Sequence, residues 1–168
     1  MEFSIGNIPE GSRLERYLKE FSLVVKQEKD IDDFIKLVFE ESMTFLKRKL
    51  VVEFSAIVLT KCYNSRDFDK LWSATAKKPK SGKRPVAFIK HSPPLPVPAR
   101  IVIDLQTLLS LNAESFVLNF ALTIFEELLH SVYPLDTETQ THKLLCPLAE
   151  EFLSIKLPDE YKNATIDE

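Results

Sequence analysis

Apolar residues recur at helical spacing in the first third of the chain. Ser12 and Glu15 have the spacing of a capping box, so a first helix is predicted to begin at Ser12. A second helix is predicted after Asp30, and the short connection between the two indicates antiparallel neighbours. The apolar stripes comprise Leu14, Tyr17, Leu18, Phe21 and Val25 in the first helix and Ile31, Phe34, Ile35, Val38, Phe45 and Leu46 in the second.

From residue 51 onward, β-branched and aromatic residues in short runs predict strands. Three strands are predicted, at 51–60, 86–89 and 101–105, and a short helix is predicted at 68–76. Segment 92–98 holds four prolines and is therefore predicted to be extended. These runs together predict a small sheet in the middle of the chain.

Helical spacing returns after the third strand. Asn112 is predicted to cap a long helix that continues to about Tyr133. Asp136 is predicted to cap a last helix that continues to about Leu157, and Pro147 should kink or split that helix. The order of elements predicts an α+β fold with two N-terminal helices, a three-stranded sheet, a long buried helix and a C-terminal helix.

Composition bounds the domain organisation and the function class. The 168 residues suit a single domain that spans 1–168, with 158–168 as a frayed polar tail. A net charge of −3 argues against a globally basic nucleic-acid binder, and three glycines are too few for a glycine-rich phosphate loop. Cys62 and Cys146 form no CxxC pair, no signal peptide is evident and no uninterrupted apolar stretch is membrane-spanning, so a cytoplasmic protein is predicted.

The predicted long helix is apolar around most of its circumference except for one polar stripe. That stripe comprises Asn119, Thr123, Glu126, Glu127 and His130. It is either the solvated face of an amphipathic helix or a site with two carboxylates and an imidazole. Residues four apart on a helix differ by about 40° and about 6 Å of rise, so Glu126 and His130 can reach a common point.

The run Glu126 to His130, EELLH, resembles the HExxH helix of zincin metallopeptidases with its first histidine replaced by glutamate. The strand before it and the acid-containing helix after it are similar to minimal gluzincin-type peptidases, and the resemblance covers roughly residues 99 to 155. By position, the resemblance implies that Glu126 and His130 are metal ligands and Glu127 is the general base. It implies a third ligand on the next helix, with Glu138 as the first candidate and His142 as the rival.

Glu126 decides which function the resemblance implies. A carboxylate in place of an imidazole adds negative charge, weakens the metal as a Lewis acid and shifts preference from Zn toward Mn, Fe or Mg. The first hypothesis is therefore a catalytically degenerate zincin-like domain, a pseudoenzyme that binds an unidentified protein or peptide with no metal or with one divalent ion (Zn, Mn or Fe). The alternative is a metal-dependent hydrolase or peptidase with an altered Glu/His/Glu site.

A basic loop at 77–84 supports a third hypothesis, nucleic-acid binding. Basic residues near aromatic ones can grip a single strand, although a solvated loop explains the same composition and is the preferred interpretation. The residues concerned are Lys77, Lys78, Lys80, Lys83 and Arg84.

Overall fold

A computed structural model describes residues 5–54, 57–74, 84–90 and 99–164. Within these residues the chain forms seven helices and a three-stranded sheet, which confirms the α+β fold class. The elements in chain order are α1 (Arg13–Lys26), α2 (Asp32–Leu50), β1 (Ile57–Cys62), α3 (Ser65–Ser73), β2 (Ala87–Lys90), β3 (Ala99–Asp104), α4 (Leu105–Leu109), α5 (Ala113–Val132), α6 (Glu138–Leu153) and α7 (Asp159–Lys162).

The sheet is mixed, with β3 between β1 and β2. Strand β1 runs parallel to β3, pairing Leu59 with Ile101, whereas β2 runs antiparallel to β3, pairing Ile89 with Ile101. Ile101 and Ile103 of β3 pack into the main core and Val102 packs into a second cluster with Phe68 and Phe88, so all three are almost completely buried. The last residue of β3, Asp104, begins the connection to α4 and caps that helix by accepting a hydrogen bond from the Thr107 N–H at 3.2 Å.

The N-terminal helices form as the apolar stripes predict. The Ser12 hydroxyl accepts a hydrogen bond from the Glu15 N–H at 3.1 Å and caps α1, whose buried face includes Leu14, Tyr17 and Phe21. The prediction that Val25 belongs to the buried stripe is wrong, because Val25 is 59% exposed near the end of the helix. In α2 the Asp30 carboxylate accepts from the Asp32 N–H at 2.9 Å, so the helix begins just after the predicted residue.

The boundaries of the first predicted strand and of the helix after it are wrong. Helix α2 continues to Leu50 and ends where Val51 adopts a left-handed conformation (φ 53°), so residues 52–54 are not a strand and β1 begins only at Ile57. Residues 55 and 56, the proline-rich segment 92–98 and most of the basic loop lie outside the described residues. Helix α3 begins earlier than predicted because the Asn64 side chain caps it through the Arg66 N–H.

Helix α5 is the central element that the sequence predicts. The Asn112 side chain caps it, accepting from the Ser115 N–H at 2.9 Å, and thirteen of its residues are buried. By length and mean hydropathy it could cross a membrane, but 67% of its most apolar window is buried inside the protein, as is common for the core helix of a soluble protein. It shares one core with α1, α2, α6 and the sheet. This packing fixes the position of α5 and therefore of Glu126, Glu127 and His130 on its polar stripe.

The C-terminal part of the chain corrects three predictions. Thr137, not Asp136, caps α6, because its hydroxyl and the Gln140 side chain form a reciprocal capping box. Pro147 does not split α6, which runs unbroken to Leu153 and so tolerates the one missing N–H. Within the segment predicted to fray, residues 159–162 form α7, and the Lys162 ammonium lies 2.9 Å from the Glu150 carboxylate of α6.

Candidate metal centre

The candidate site lies where α5 and α6 meet. Glu126 and His130 are one turn apart near the C-terminal end of α5, and Glu138 is the first residue of α6. Residues 133–137 join the two helices, and the capping box at Thr137 fixes the orientation in which α6 begins. The connection is short and its far end is capped, so the first turn of α6 returns beside the last turns of α5.

The geometry brings three side chains together. His130 Nε2 lies 3.3 Å from Glu138 Oε1 and 3.8 Å from Glu126 Oε1. One ligand atom from each of the three residues lies within 4.8 Å of the other two. Ligands about 2.1 Å from a tetrahedral Zn²⁺ are separated by about 3.4 Å, so small side-chain rotations would place all three atoms around one ion.

The group lies at the rim of the protein. The His130 side chain is 14% exposed, while Glu126 and Glu138 are 38% and 44% exposed, so solvent and ions can reach the two carboxylates. Glu127 is different, because it is only 6% exposed and faces the interior. Glu126 and His130 of the α5 stripe therefore lie at the rim with Glu138 of α6, whereas Glu127 of the same stripe is buried.

Charge holds the group together when no metal is bound. Burial alone would lower the pKa of His130, but its ion pairs with Glu126 and Glu138 outweigh burial and raise the pKa to about 10. The imidazole is therefore protonated at neutral pH and bridges two carboxylates that would otherwise repel each other. Burial, followed by the negative charge of Glu126, raises the pKa of Glu127.

The donor set suits a divalent cation. One imidazole and two carboxylates are hard or borderline ligands, which Mn²⁺, Fe²⁺ and Zn²⁺ accept. With a neutral imidazole, the two carboxylates also balance the charge of such an ion. The residues present therefore fit one divalent cation, and the exposed sides of Glu126 and Glu138 leave room for water as a further ligand.

The rival ligand His142 is engaged elsewhere. Its Nε2 lies 2.9 Å from the backbone oxygen of Tyr161, and because a carbonyl can only accept, this nitrogen carries the proton. Cys146 Sγ lies 3.5 Å from the same nitrogen, which therefore cannot accept the thiol proton. Burial raises the pKa of Cys146 to about 11, so the thiol is not an activated nucleophile.

Tyr161 is a neighbour of the site that sequence reasoning missed. Its ring packs against His142 with centroids 5.0 Å apart. Burial raises its pKa, and the negative charge of Glu126 adds to the rise. Helix α7 thus packs against α6 beside His142. An aromatic residue in an otherwise polar tail was the only available signal.

Of the basic loop, only Arg84 is among the described residues, and it has a structural role. One terminal nitrogen lies 2.5 Å from the buried Asp104 carboxylate, Nε pairs with Asp69, and the guanidinium lies 4.5 Å over the ring of Phe68. Arg84 is therefore committed to internal partners. The four lysines at 77, 78, 80 and 83 lie outside the described residues, so nucleic-acid binding by this loop stays a prediction.

No protein-family model, curated protein or solved structure matches this chain. The resemblance to zincins therefore has its structural support in the Glu/His/Glu group alone.

Proposed function

We propose that this protein is a catalytically degenerate zincin-like domain that binds one divalent metal ion through Glu126, His130 and Glu138. The observation that carries the proposal is the convergence of three potential ligand atoms within 4.8 Å at the rim between α5 and α6. Two of these residues come from a polar stripe on the most buried helix, and the third comes from the first turn of the helix that follows.

The degenerate character follows from two features of the site. Glu126 supplies a negative charge where a zincin has a neutral imidazole, so the bound ion polarises water and carbonyl groups less strongly. Glu127 is nearly buried, whereas a general base must lie within hydrogen-bond reach of the metal-bound water. We infer that the ion fastens α5 to α6 and supports the binding of a protein or peptide in the cytoplasm.

The test is metal binding by the full chain. Isothermal titration with MnCl₂ and with ZnCl₂ is expected to give one site per chain, and Glu138→Gln is expected to weaken binding by about tenfold or more, because a ligand and a balancing charge are lost. Glu151→Gln is the matched control, since Glu151 lies on the same helix and pairs with Lys49 at 2.9 Å. Absence of binding to the parent, or equal weakening by both variants, would contradict the proposal.

The second candidate is a metal-dependent hydrolase that uses Glu127 as the base. The observation in its favour is that Glu127 is the one buried carboxylate next to the ligand group, three residues before His130 as the resemblance requires. Peptide cleavage by the metal-loaded protein that disappears in Glu127→Gln, with metal binding retained, would favour this candidate. Retained cleavage in Glu127→Gln would exclude it.

A further inference from the structure

Hydrogen bonds hold the chain between His130 and Glu138, the two ligands that come from different helices. The Tyr133 N–H donates to the Leu129 carbonyl at 2.9 Å, and the Asp136 N–H donates to the Tyr133 carbonyl at 3.2 Å. Both of these bonds join backbone groups. The next step, from the turn into α6, depends on side chains.

Thr137, the residue immediately before Glu138, is held through its hydroxyl, its N–H and its carbonyl. The hydroxyl accepts a hydrogen bond from the Gln140 N–H at 3.1 Å, and the Thr137 N–H donates to the Gln140 side-chain oxygen at 2.8 Å. The carbonyl accepts from the Thr141 N–H at 2.9 Å and from the Thr141 hydroxyl at 3.0 Å. The backbone that carries the third ligand is therefore fixed by a cap to which the side chains of Thr137 and Gln140 both contribute.

Glu138 depends on this cap because the rest of its surroundings hold it loosely. Glu126 and His130 lie four residues apart inside the last turns of α5, so the helix itself sets their spacing. Glu138 is the first residue of α6, and its side chain is 44% exposed, so neighbouring side chains do not enclose it. Helix ends fray, and fraying of this first turn would move the Glu138 carboxylate away from the His130 imidazole, which lies at 3.3 Å.

We propose that Thr137 and Gln140 are positioning residues for the metal centre and act through Glu138. The inference rests on the proposed metal-binding function and identifies groups that set the affinity of that site. With the cap in place, the ligand atoms of Glu138 and His130 are already separated by about the distance between two ligands of one ion, so binding has little left to order. Without the cap, the ion must order the first turn of α6 as it binds, and that cost lowers the affinity.

Metal titration of cap variants of the full chain tests the inference. Thr137→Ala removes the hydroxyl acceptor, and Gln140→Ala removes the acceptor of the Thr137 N–H, so each is expected to bind MnCl₂ and ZnCl₂ about fivefold more weakly than the parent. Thr137→Ser retains the hydroxyl and is expected to keep the parental affinity. Asn112→Ala is the matched control, because it removes the cap at the opposite end of α5 and is expected to leave metal affinity unchanged.

A double variant separates positioning from a general loss of stability. Glu138→Gln removes the carboxylate through which the cap acts, so Thr137→Ala added to it is expected to cause no further loss of affinity. An equal loss in both backgrounds would overturn the inference, because it would show an effect that does not pass through Glu138. Gln140→Ala, which keeps the Thr137 hydroxyl, carries the same test if Thr137→Ala does not fold.

The parent protein distinguishes failure of this inference from failure of the proposed function. A parent that binds neither ion would overturn both. A parent that binds one ion, with parental affinity retained in Thr137→Ala and Gln140→Ala, would overturn the positioning role alone. A loss of affinity in Asn112→Ala that matches the loss in Thr137→Ala would also overturn it, because any weakened helix would then have the same effect.

Discussion

Asp104 and Glu127 are both buried carboxylates, but their surroundings differ. Asp104, at the end of β3, accepts hydrogen bonds from the Ser65 hydroxyl, the Arg84 guanidinium, the Thr107 hydroxyl and the Thr107 N–H. Burial raises its pKa, but these bonds outweigh burial and hold the pKa below the ordinary range. Glu127 lies beside two other carboxylates, and its pKa is raised.

The difference separates a structural acid from an acid in a functional site. The charge of Asp104 is fully compensated by groups of the fold, so nothing further is needed there. At the α5–α6 rim, Glu126 and Glu138 share one imidazole, whose proton balances only one of their two negative charges. Crowded, undercompensated charge is more typical of binding sites than of structural ion pairs.

Among the predicted changes, loss of the Asp104 carboxylate should have the largest effect, because it tests the structural acid of this comparison. Asp104→Ala should lower the free energy of unfolding by about 3 kcal/mol, because it strips a buried carboxylate from Arg84, Ser65 and Thr107 at once. Urea denaturation measures the change. Asp69→Ala is the control, since Asp69 is the more exposed partner of the same arginine, and its loss should be below about 1 kcal/mol. Equal losses would mean that Arg84, not Asp104, organises this cluster.

Lowering the pH should also reveal the contribution of the Asp104 carboxylate to stability. The pKa of Asp104 is lower in the folded protein than in the unfolded chain, so its contribution is complete above the unfolded value of about 3.9 and is lost as the pH falls through the folded pKa. Asp104→Asn should therefore show a smaller loss of stability than the parent between about pH 4 and pH 2. Chemical denaturation at a series of pH values measures both slopes. Parallel slopes would show that other carboxylates dominate acid unfolding.

The smallest predicted effect is a change in metal affinity at the α5–α6 rim. Glu126→His restores the imidazole that the zincin resemblance lacks and removes one negative charge from the rim. Zinc affinity should rise by about tenfold relative to the parent, and the preference for zinc over manganese should increase, since imidazole is the softer ligand. Competition titration with a chromophoric chelator measures both affinities. A folded variant with unchanged zinc affinity would indicate that Glu138 or His130 is not positioned to complete the site.

The sequence predicted those parts of the fold and site that depend on neighbours along the chain. Asn112 as a cap, the length of α5, and the pairing of Glu126 with His130 follow from spacing on one helix. Glu138 was the first candidate for the third ligand because the zincin resemblance implies a ligand on the next helix. The local pattern therefore determines the helix and its Glu126–His130 pair, and the resemblance supplied Glu138.

What the sequence could not reveal depends on contacts between distant segments. Asp104 looked like the end of a strand, and only the packing of α3 and the residue Arg84 around it identifies a polar cluster. The start of β1 was misplaced because Val51 turns the chain with a backbone conformation that β-branched residues rarely adopt. Tyr161 packs against His142 because α7 folds back on α6, which no spacing within the tail encodes.

All three residues of the candidate centre fall within 126–138, in one helix–turn–helix segment. The group can therefore assemble as soon as these two helices pair, without any loop closure through the sheet. An ion bound there would favour the paired over the separated helices before the strands have docked. In hydrogen-exchange experiments, addition of the ion should first slow the exchange of the amides around the 133–137 turn. The protected region should then spread outward along α5 and α6.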